Sequence, residues 1–464
     1  METRGSNEPR ISKIAQSEND PGLRRVSSTV RAAKRADRDG RVGTLRAALA
    51  VAAVAVLIGA PAAVAGGRFD RARFDGSADT TWMPGSAPVV AAANAPDGPH
   101  DASTTSAIAS IDTALTGQAA AIANGSATAF LAPVDMSLRG DMRRRFEALR
   151  AVKATDYATR LVTAPVLAGD RWRAGVEVRF CAGATGCPPA PVQVETTWII
   201  NGDGALLVAW GQSTRNGPRP WEVSELRAAV GSRVVVAATP RYASRLQATL
   251  ATAERAAAKA DRYARWRPRP ARYVVYLAGA DEWASWFGGK QPVWAAGYTL
   301  PLTPDYSEIV LNATRVDSTE VAATLTHEFA HVTTLAGVQR NYTDSWLLVE
   351  GLAEYATHAD KPVREYPWLD GTRRYVSSGR WPGTAGLAAP AESASVSDAT
   401  GLYGVAYLAV RRIGERFGQD KLLSFFAAVA RDGRTAAQAS PGVLGVPWTD
   451  AAADCDRYIR QAVS

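Results

Sequence analysis

Two histidines four residues apart, with a glutamate between them, are the residues of this chain best placed to do chemistry. They lie in the run His327-Glu328-Phe329-Ala330-His331, which holds two of the four histidines in the chain. Side chains four residues apart on a helix lie on the same face, so both imidazoles can bind one metal ion. The glutamate beside them can act as a general base. The run therefore predicts a metal centre with an adjacent base.

The residues around this pair have the composition of a helix that packs in a protein core. Residues 320–335 contain no glycine or proline, and the apolar residues Val321, Leu325, Phe329 and Val332 recur at helical spacing. The competing interpretation is a solvent-exposed helix that carries two histidines by chance. The apolar stripe favours the core helix, and with it the metal centre.

A second predicted helix supplies a third candidate ligand. Eighteen residues separate His331 from Glu350, which lies among tryptophan, leucine and valine residues in the run 346–357. An exposed glutamate at a helix start is the alternative. A buried carboxylate is costly without a cation, however, and catalytic zinc usually takes three protein ligands and one water. We therefore predict that His327, His331 and Glu350 bind zinc, with the base Glu328 activating water for hydrolysis.

The two helices together resemble the gluzincin zinc metallopeptidases, in particular the aminopeptidase-N-like and peptidase MA-like branches. The resemblance lies in His-Glu-x-x-His followed, after eighteen residues, by Glu-Gly-Leu-Ala-Glu-Tyr. It covers residues 220–464, and its specific part is these two helices. It implies a thermolysin-like or aminopeptidase-N-like catalytic core, in which a cleft separates a sheet-bearing lobe from a helical lobe. It also implies zinc ligation by His327, His331 and Glu350, with Glu328 as the base.

Three further residues are candidates for supporting roles. Glu354 lies one turn after Glu350 and can accept a hydrogen bond from a ligand histidine, or it is an exposed helix residue. Gluzincins often stabilise the reaction intermediate with a tyrosine or histidine from a later helix. Tyr403, at the start of the predicted helix 401–418, resembles that tyrosine, and Tyr407 lies one turn further on. Both tyrosines are equally compatible with ordinary core packing.

One element of the aminopeptidase branch is missing. That branch carries Gly-x-Met-Glu-Asn before the zinc helix, and its glutamate binds the free amine of the substrate. The corresponding residues 293–302 contain no acidic side chain. We therefore expect an endopeptidase rather than an aminopeptidase, with this segment pairing with extended substrate backbone. The alternatives are a catalytically silent zinc-binding or protein-interaction module, which would not need Glu328, and a zinc hydrolase of a non-peptide bond.

The positive charge of the chain is concentrated at its amino end. The 464 residues carry a net charge of +8, and residues 1–46 hold 11 basic against 6 acidic groups. The other 418 residues hold 42 basic and 39 acidic groups without a basic face, which argues against nucleic-acid binding.

An apolar segment follows the basic tail. Residues 45–66 are long enough to span a bilayer, and the arginines and lysines before them would keep the amino terminus in the cytoplasm. The alternative is a signal peptide cleaved after Ala63-Val64-Ala65, which would make the protein secreted. The long upstream tail favours a single-pass anchor in the cytoplasmic membrane, with the catalytic part outside.

The remaining organisation is predicted from composition and periodicity. Residues 1–44 are predicted to be disordered, and residues 67–100 are predicted to be a linker. Residues 101–215 are predicted to form an α+β domain that resembles the nuclear transport factor 2 fold. Residues 216–464 are predicted to form the catalytic domain. Within the last part, residues 240–266 are predicted to form one long helix. Cys181 and Cys187 lie between two predicted strands and can form a disulfide, or bind a metal, whereas Cys455 is expected to be buried.

Overall fold

The described residues of the chain form an α+β fold with two β-sheets, as predicted. The computed structural model describes residues 53–56, 101–188, 190–202, 204–213, 215–289, 291–338 and 345–464. The predicted tail 1–44 and linker 67–100 lie outside them.

Of the apolar segment 45–66, the structure describes four residues. Ala53–Val56 form a short strand, β1, where a membrane-spanning helix was expected. Within the described ranges no helix is long and apolar enough to cross a membrane. The rest of the segment lies outside the described residues, so the anchor and the signal peptide both stay predictions.

The amino-terminal part of the described chain consists of helices packed on an antiparallel sheet. Its helices are α1 (Ala102–Asn124), α2 (Ala127–Phe130) and α3 (Arg139–Ala151). Its strands are β2 (Ala154–Leu161), β3 (Val166–Ala168), β4 (Arg171–Ala182), β5 (Val192–Asn201) and β6 (Gly204–Trp210). The order is β2-β4-β5-β6, and β3 also pairs with β4. Helix α1 contacts β2, β5 and β6 and buries Ile111, Leu115 and Ile122.

The second sheet has six strands, five of which come from the predicted catalytic domain and one, β1, from the apolar segment. Besides β1 it contains β7 (Arg227–Val230), β8 (Val234–Ala238), β9 (Tyr273–Ala278), β10 (Ala295–Thr303) and β11 (Tyr306–Asn312). The order is β1-β10-β11-β9-β8-β7. Strands β8, β9 and β11 run parallel to one another. Strand β7 is antiparallel to β8, β10 is antiparallel to β11, and β1 is parallel to β10.

Helices surround this sheet and form the carboxyl-terminal lobe. They are α4 (Pro220–Val223), α5 (Leu246–Ala260), α6 (Ala280–Ser285), α7 (Val321–Leu335), α8 (Trp346–His358), α9 (Leu369–Ser377), α10 (Val396–Phe417), α11 (Gln419–Phe426), α12 (Ala436–Val443) and α13 (Trp448–Val463). Helix α7 packs on the sheet and on α8, and α8 packs on α10.

Both faces of the six-stranded sheet are covered. Val234 and Val236 pack on one face with Leu325 of α7, whereas Val235 and Ala237 belong to the core on the opposite face. Strands that are buried on both sides need apolar residues at every position, which explains why β8 reads Val-Val-Val-Ala-Ala. This packing fixes the position of α7 on the sheet.

The predicted helix 240–266 is shorter in the structure. Residues 240–245 form a 3₁₀ helix, and the α-helix ends at Ala260. The carboxylate of Asp261 accepts hydrogen bonds from Arg233 and from Tyr273 of β9, which ties the chain to the sheet at that point. A tertiary contact of this kind leaves no signal in helical periodicity.

The cysteines connect and fill the structure. Cys181 and Cys187 are joined by a disulfide bond, and Cys455 is buried and free. The backbone carbonyl of Gly183, within the disulfide loop, accepts a hydrogen bond from Arg272 beside β9. The loop therefore contacts the catalytic part of the chain.

Candidate metal centre

Helices α7 and α8 pack together and bring the three predicted ligands to one point. His327 Nε2 lies 3.0 Å from Glu350 Oε2 and 2.9 Å from His331 Nε2. His331 Nε2 lies 3.4 Å from Glu350 Oε2. All three side chains are buried, and their ligand atoms lie within 4.8 Å of one another. The structure thus places the predicted triad together.

The position of Glu350 depends on the glycine that follows it. A Cβ at Gly351 would lie 2.5 Å from Val410 Cγ2 and 2.6 Å from the carbonyl oxygen of Ala406 on α10. Glycine therefore lets α8 lie directly against α10 while Glu350 faces α7. This close approach explains the Glu-Gly pair in physical terms.

The charges at this centre are not balanced by basic side chains. Glu328, Glu350 and Glu354 are buried near two imidazoles, and in the described part of the chain none of the three carboxylates is hydrogen-bonded to arginine or lysine. Burial alone would lower the pKa of His327, but hydrogen bonds with Glu350 and Glu354 raise it to about 10. Burial would raise the pKa of Glu350, yet the imidazoles of His331 and His327 hold it at about 2. The imidazoles and the carboxylates at this centre therefore interact strongly with one another.

Glu328 contacts β10 through one of its two carboxylate oxygens. Its Oε2 accepts a hydrogen bond of 2.6 Å from Thr299 Oγ1. Its Oε1 is buried and has no hydrogen-bond partner among the described residues. Burial raises the pKa of Glu328 to about 8. A carboxylate with one held and one unpaired oxygen next to a metal triad has the arrangement that a base requires.

Glu354 lies behind the triad and is buried. Its Oε1 accepts a hydrogen bond of 2.8 Å from His327 Nδ1, and its Oε2 accepts one of 3.0 Å from the hydroxyl of Tyr366. His358 Nε2 lies 3.6 Å from the same Oε2. Such contacts fix the tautomer and orientation of a ligand histidine. His331 differs, since its Nδ1 has no hydrogen-bond partner within the described ranges.

Three of the residues around this centre were missed in the sequence. His358 follows Glu354 at helical i,i+4 spacing, a signal that was present in the sequence. Tyr366 directly follows the 3₁₀ helix Val363–Glu365 in the connection after α8, and no spacing rule relates it to Glu354. Thr299 is likewise distant in sequence and reaches Glu328 only through the sheet.

The two candidate tyrosines on α10 have different environments. The ring of Tyr403 lies 6.1 Å from the ring of His327 and 5.2 Å from that of Trp346. Its buried hydroxyl has no hydrogen-bond partner in the described part of the chain, and burial, with the nearby carboxylates of Glu350 and Glu328, raises its pKa. The hydroxyl of Tyr407 instead donates to the carbonyl of His358 and accepts from Arg411. Tyr403 is therefore the tyrosine that faces the triad.

Comparisons with known proteins find no match by sequence and a distant likeness by structure. No protein-family model and no curated protein matches the chain. Among solved structures, the chain is similar to a two-domain M1 zinc metallopeptidase, crystallised as a mutant bound to L-arginine. The identity is 16%, the match covers 67% of this chain and 65% of that one, and the TM-score is 0.29. The chain thus spans less than two thirds of that protein's length.

Proposed function

We propose that this chain is a zinc-dependent peptidase in which Glu328 is the general base. The observation that carries the proposal is the convergence of His327, His331 and Glu350 at one buried point, with an unpaired carboxylate oxygen of Glu328 nearby. Two imidazoles and one carboxylate form a common ligand set for catalytic zinc, with one position left for water.

The residues present fit a zinc ion. Three buried carboxylates without an arginine or lysine partner in the described contacts favour binding of a cation. The ligand atoms of His327, His331 and Glu350 are close enough to share one. Nitrogen and oxygen donors in this combination suit zinc. Bound zinc would supply a Lewis acid that makes water acidic and polarises a carbonyl.

The protein side chains then have separate roles. Glu328 takes a proton from the attacking water on Oε1 and passes it to the leaving amine. Tyr403 offers a hydroxyl that is not engaged by the described protein groups, and it donates to the oxygen that becomes negative during the reaction. Glu354 orients His327 through Nδ1.

The substrate is proposed to be an extended polypeptide cleaved internally. A peptide backbone can pair with a strand, and β10 pairs on one side with the chain's own β1, whose place an extended substrate would take. Strand β10 and the preceding residues from 293 carry no acidic side chain to bind a free amine. After β10, Asp305 lies 3.5 Å from Arg267, and Glu308 on β11 contacts Arg219 and Tyr306. These features favour an endopeptidase.

The disulfide supports a location outside the cytoplasm, as the basic tail and apolar segment 45–66 also suggest. Disulfides persist mainly in oxidising compartments. Mass spectrometry of the membrane fraction tests the topology, since a chain that begins upstream of residue 45 retains an anchor. A chain beginning at Gly66 would replace the anchor with a cleaved signal.

The proposed activity is tested with the full chain and casein, an unstructured protein substrate. We expect one zinc per chain and measurable cleavage, with at least about a 100-fold loss in Glu328→Gln and unchanged zinc content. Glu320→Gln, at the start of the same helix but not at the triad, is the control and should retain activity. If the zinc-loaded wild type cleaves casein no faster than Glu328→Gln does, the proposal is contradicted.

A further inference from the structure

Thr299 on β10 is hydrogen-bonded to the carboxylate that we assign as the base. Its side chain is buried, and Oγ1 lies 2.6 Å from Glu328 Oε2 and 3.2 Å from the backbone carbonyl of Glu328. A hydroxyl has one proton and can donate it to one acceptor only. The shorter contact, to a carboxylate, is the stronger one because it is charge-assisted. The threonine proton is therefore directed at Oε2.

Gly297 faces the other oxygen of the same carboxylate. A Cβ built at this glycine would lie 2.9 Å from Glu328 Oε1. Residues two apart on a strand face the same side, so Gly297 and Thr299 together form the surface against which the carboxylate lies. The glycine leaves space at Oε1, and the threonine holds Oε2. The two oxygens of Glu328 are thus made inequivalent by one strand.

This contact matters because a glutamate carboxylate has little preference of its own. The last torsion of a glutamate side chain is broad, so rotation of the carboxylate meets a low barrier. Among the described residues, Thr299 donates a hydrogen bond to Oε2 of Glu328, and no group donates to Oε1. The orientation of the carboxylate plane therefore depends on this hydroxyl.

We propose that Thr299 is a positioning residue, which holds Oε2 of Glu328 so that Oε1 is presented to the attacking water. The inference rests on the proposed function. A base must lie within hydrogen-bond reach of the proton it takes, and small misplacement of a reacting group lowers the rate strongly. The expected effect lies on kcat, because the Thr299 hydroxyl bonds to Glu328, whereas only the backbone of Thr299 lies along the edge of β10 that pairs with β1.

The test compares Thr299→Val, which removes the hydroxyl at nearly constant shape, with Thr299→Ser, which keeps it. With casein-derived peptides and the full chain, Thr299→Val should lower kcat by about 10- to 100-fold with little change in KM or zinc content. Thr299→Ser should restore kcat towards the wild-type value. Thr333→Val is the control on α7, because Thr333 is buried and bonds only to helix carbonyls in the described contacts.

Crystal structures of the same variants give a readout independent of turnover. The wild type and Thr299→Ser should show one carboxylate orientation of Glu328, whereas Thr299→Val should show several or a rotated one. An unchanged carboxylate in Thr299→Val, a kcat near the wild-type value, or a serine variant as slow as the valine variant would each overturn the inference. If the wild type hydrolyses no substrate, the proposed function fails and this role with it. If the wild type is active and Thr299→Val has the same kcat, only the positioning role fails.

Discussion

Two clusters of buried glutamates lie in the catalytic part of this chain, and they differ in how their charge is balanced. Behind the sheet, Glu308 lies 3.6 Å from Arg219, and Glu222 lies 3.8 Å from Arg145. Each of these carboxylates has an arginine for its charge. At the candidate metal centre, the described contacts of the buried carboxylates are with imidazoles and hydroxyl groups and include no arginine or lysine.

The difference lies in the groups that surround the carboxylates. Tyr306 donates to Glu308, and the backbone N–H groups of Ser213 and Arg219 donate to Glu222, while Oε2 of Glu308 and Nε of Arg219 have no hydrogen-bond partner among the described residues. The centre at His327 contains unpaired atoms on Glu328, His331 and Tyr403, counted over the described residues. What distinguishes this centre is a group of buried carboxylates that, in the described part of the chain, has imidazoles but no guanidinium beside it, which makes it a candidate for metal binding.

Replacing Glu350 by glutamine should have the largest effect on metal binding. Loss of a direct ligand and its charge should weaken zinc binding by more than the 10- to 100-fold typical of outer residues, so at least about 100-fold. Competition titration with a chromophoric chelator measures the affinity. Glu365→Gln changes an exposed glutamate and should bind zinc as wild type does; full zinc affinity in Glu350→Gln would remove Glu350 from the ligand set.

Replacing Glu308 by glutamine should affect stability and leave zinc binding unchanged. The substitution leaves the buried guanidinium of Arg219 without its carboxylate, and breaking such a pair typically costs about 3 kcal/mol or more in the free energy of unfolding. Urea denaturation with saturating zinc measures this loss. The comparison between the clusters breaks down if the folded variant no longer binds zinc.

Replacing Glu354 by glutamine should have a smaller effect at the metal centre. The amide keeps the size of the side chain but weakens its hold on His327 Nδ1, so zinc affinity should fall by about 10- to 100-fold. Tyr366→Phe removes one hydrogen bond to the same carboxylate and should weaken affinity less. Equal affinities in wild type and Glu354→Gln would show that Glu354 only fills space.

Much of the catalytic fold could be predicted from local pattern. The helices around His327 and Glu350 follow from apolar residues at helical spacing, and the buried strand β8 follows from a continuous apolar run. The short strand β7 and the end of α5 at Ala260 were missed. Their bounds depend on neighbours in space: β7 pairs with β8, and Asp261 is held by Arg233 and Tyr273.

The same division applies to the site. Helical spacing places His327 and His331 together, since four residues make about one turn. The choice between Tyr403 and Tyr407 could not be made this way, because both lie on one face of α10. Only the packing of Arg411 and the carbonyl of His358 around Tyr407 distinguishes them.

The sequence by itself determined the chemistry of the ligands, because the one-turn spacing of His327 and His331 and the apolar residues around Glu350 are local properties. The tertiary structure decided everything that holds those ligands. It placed Glu350 against α7 through the contact of Gly351 with α10, gave His327 the carboxylate of Glu354, and set Thr299 against Glu328. These contacts join residues far apart in sequence, and their geometry is fixed only when the helices pack against the sheet.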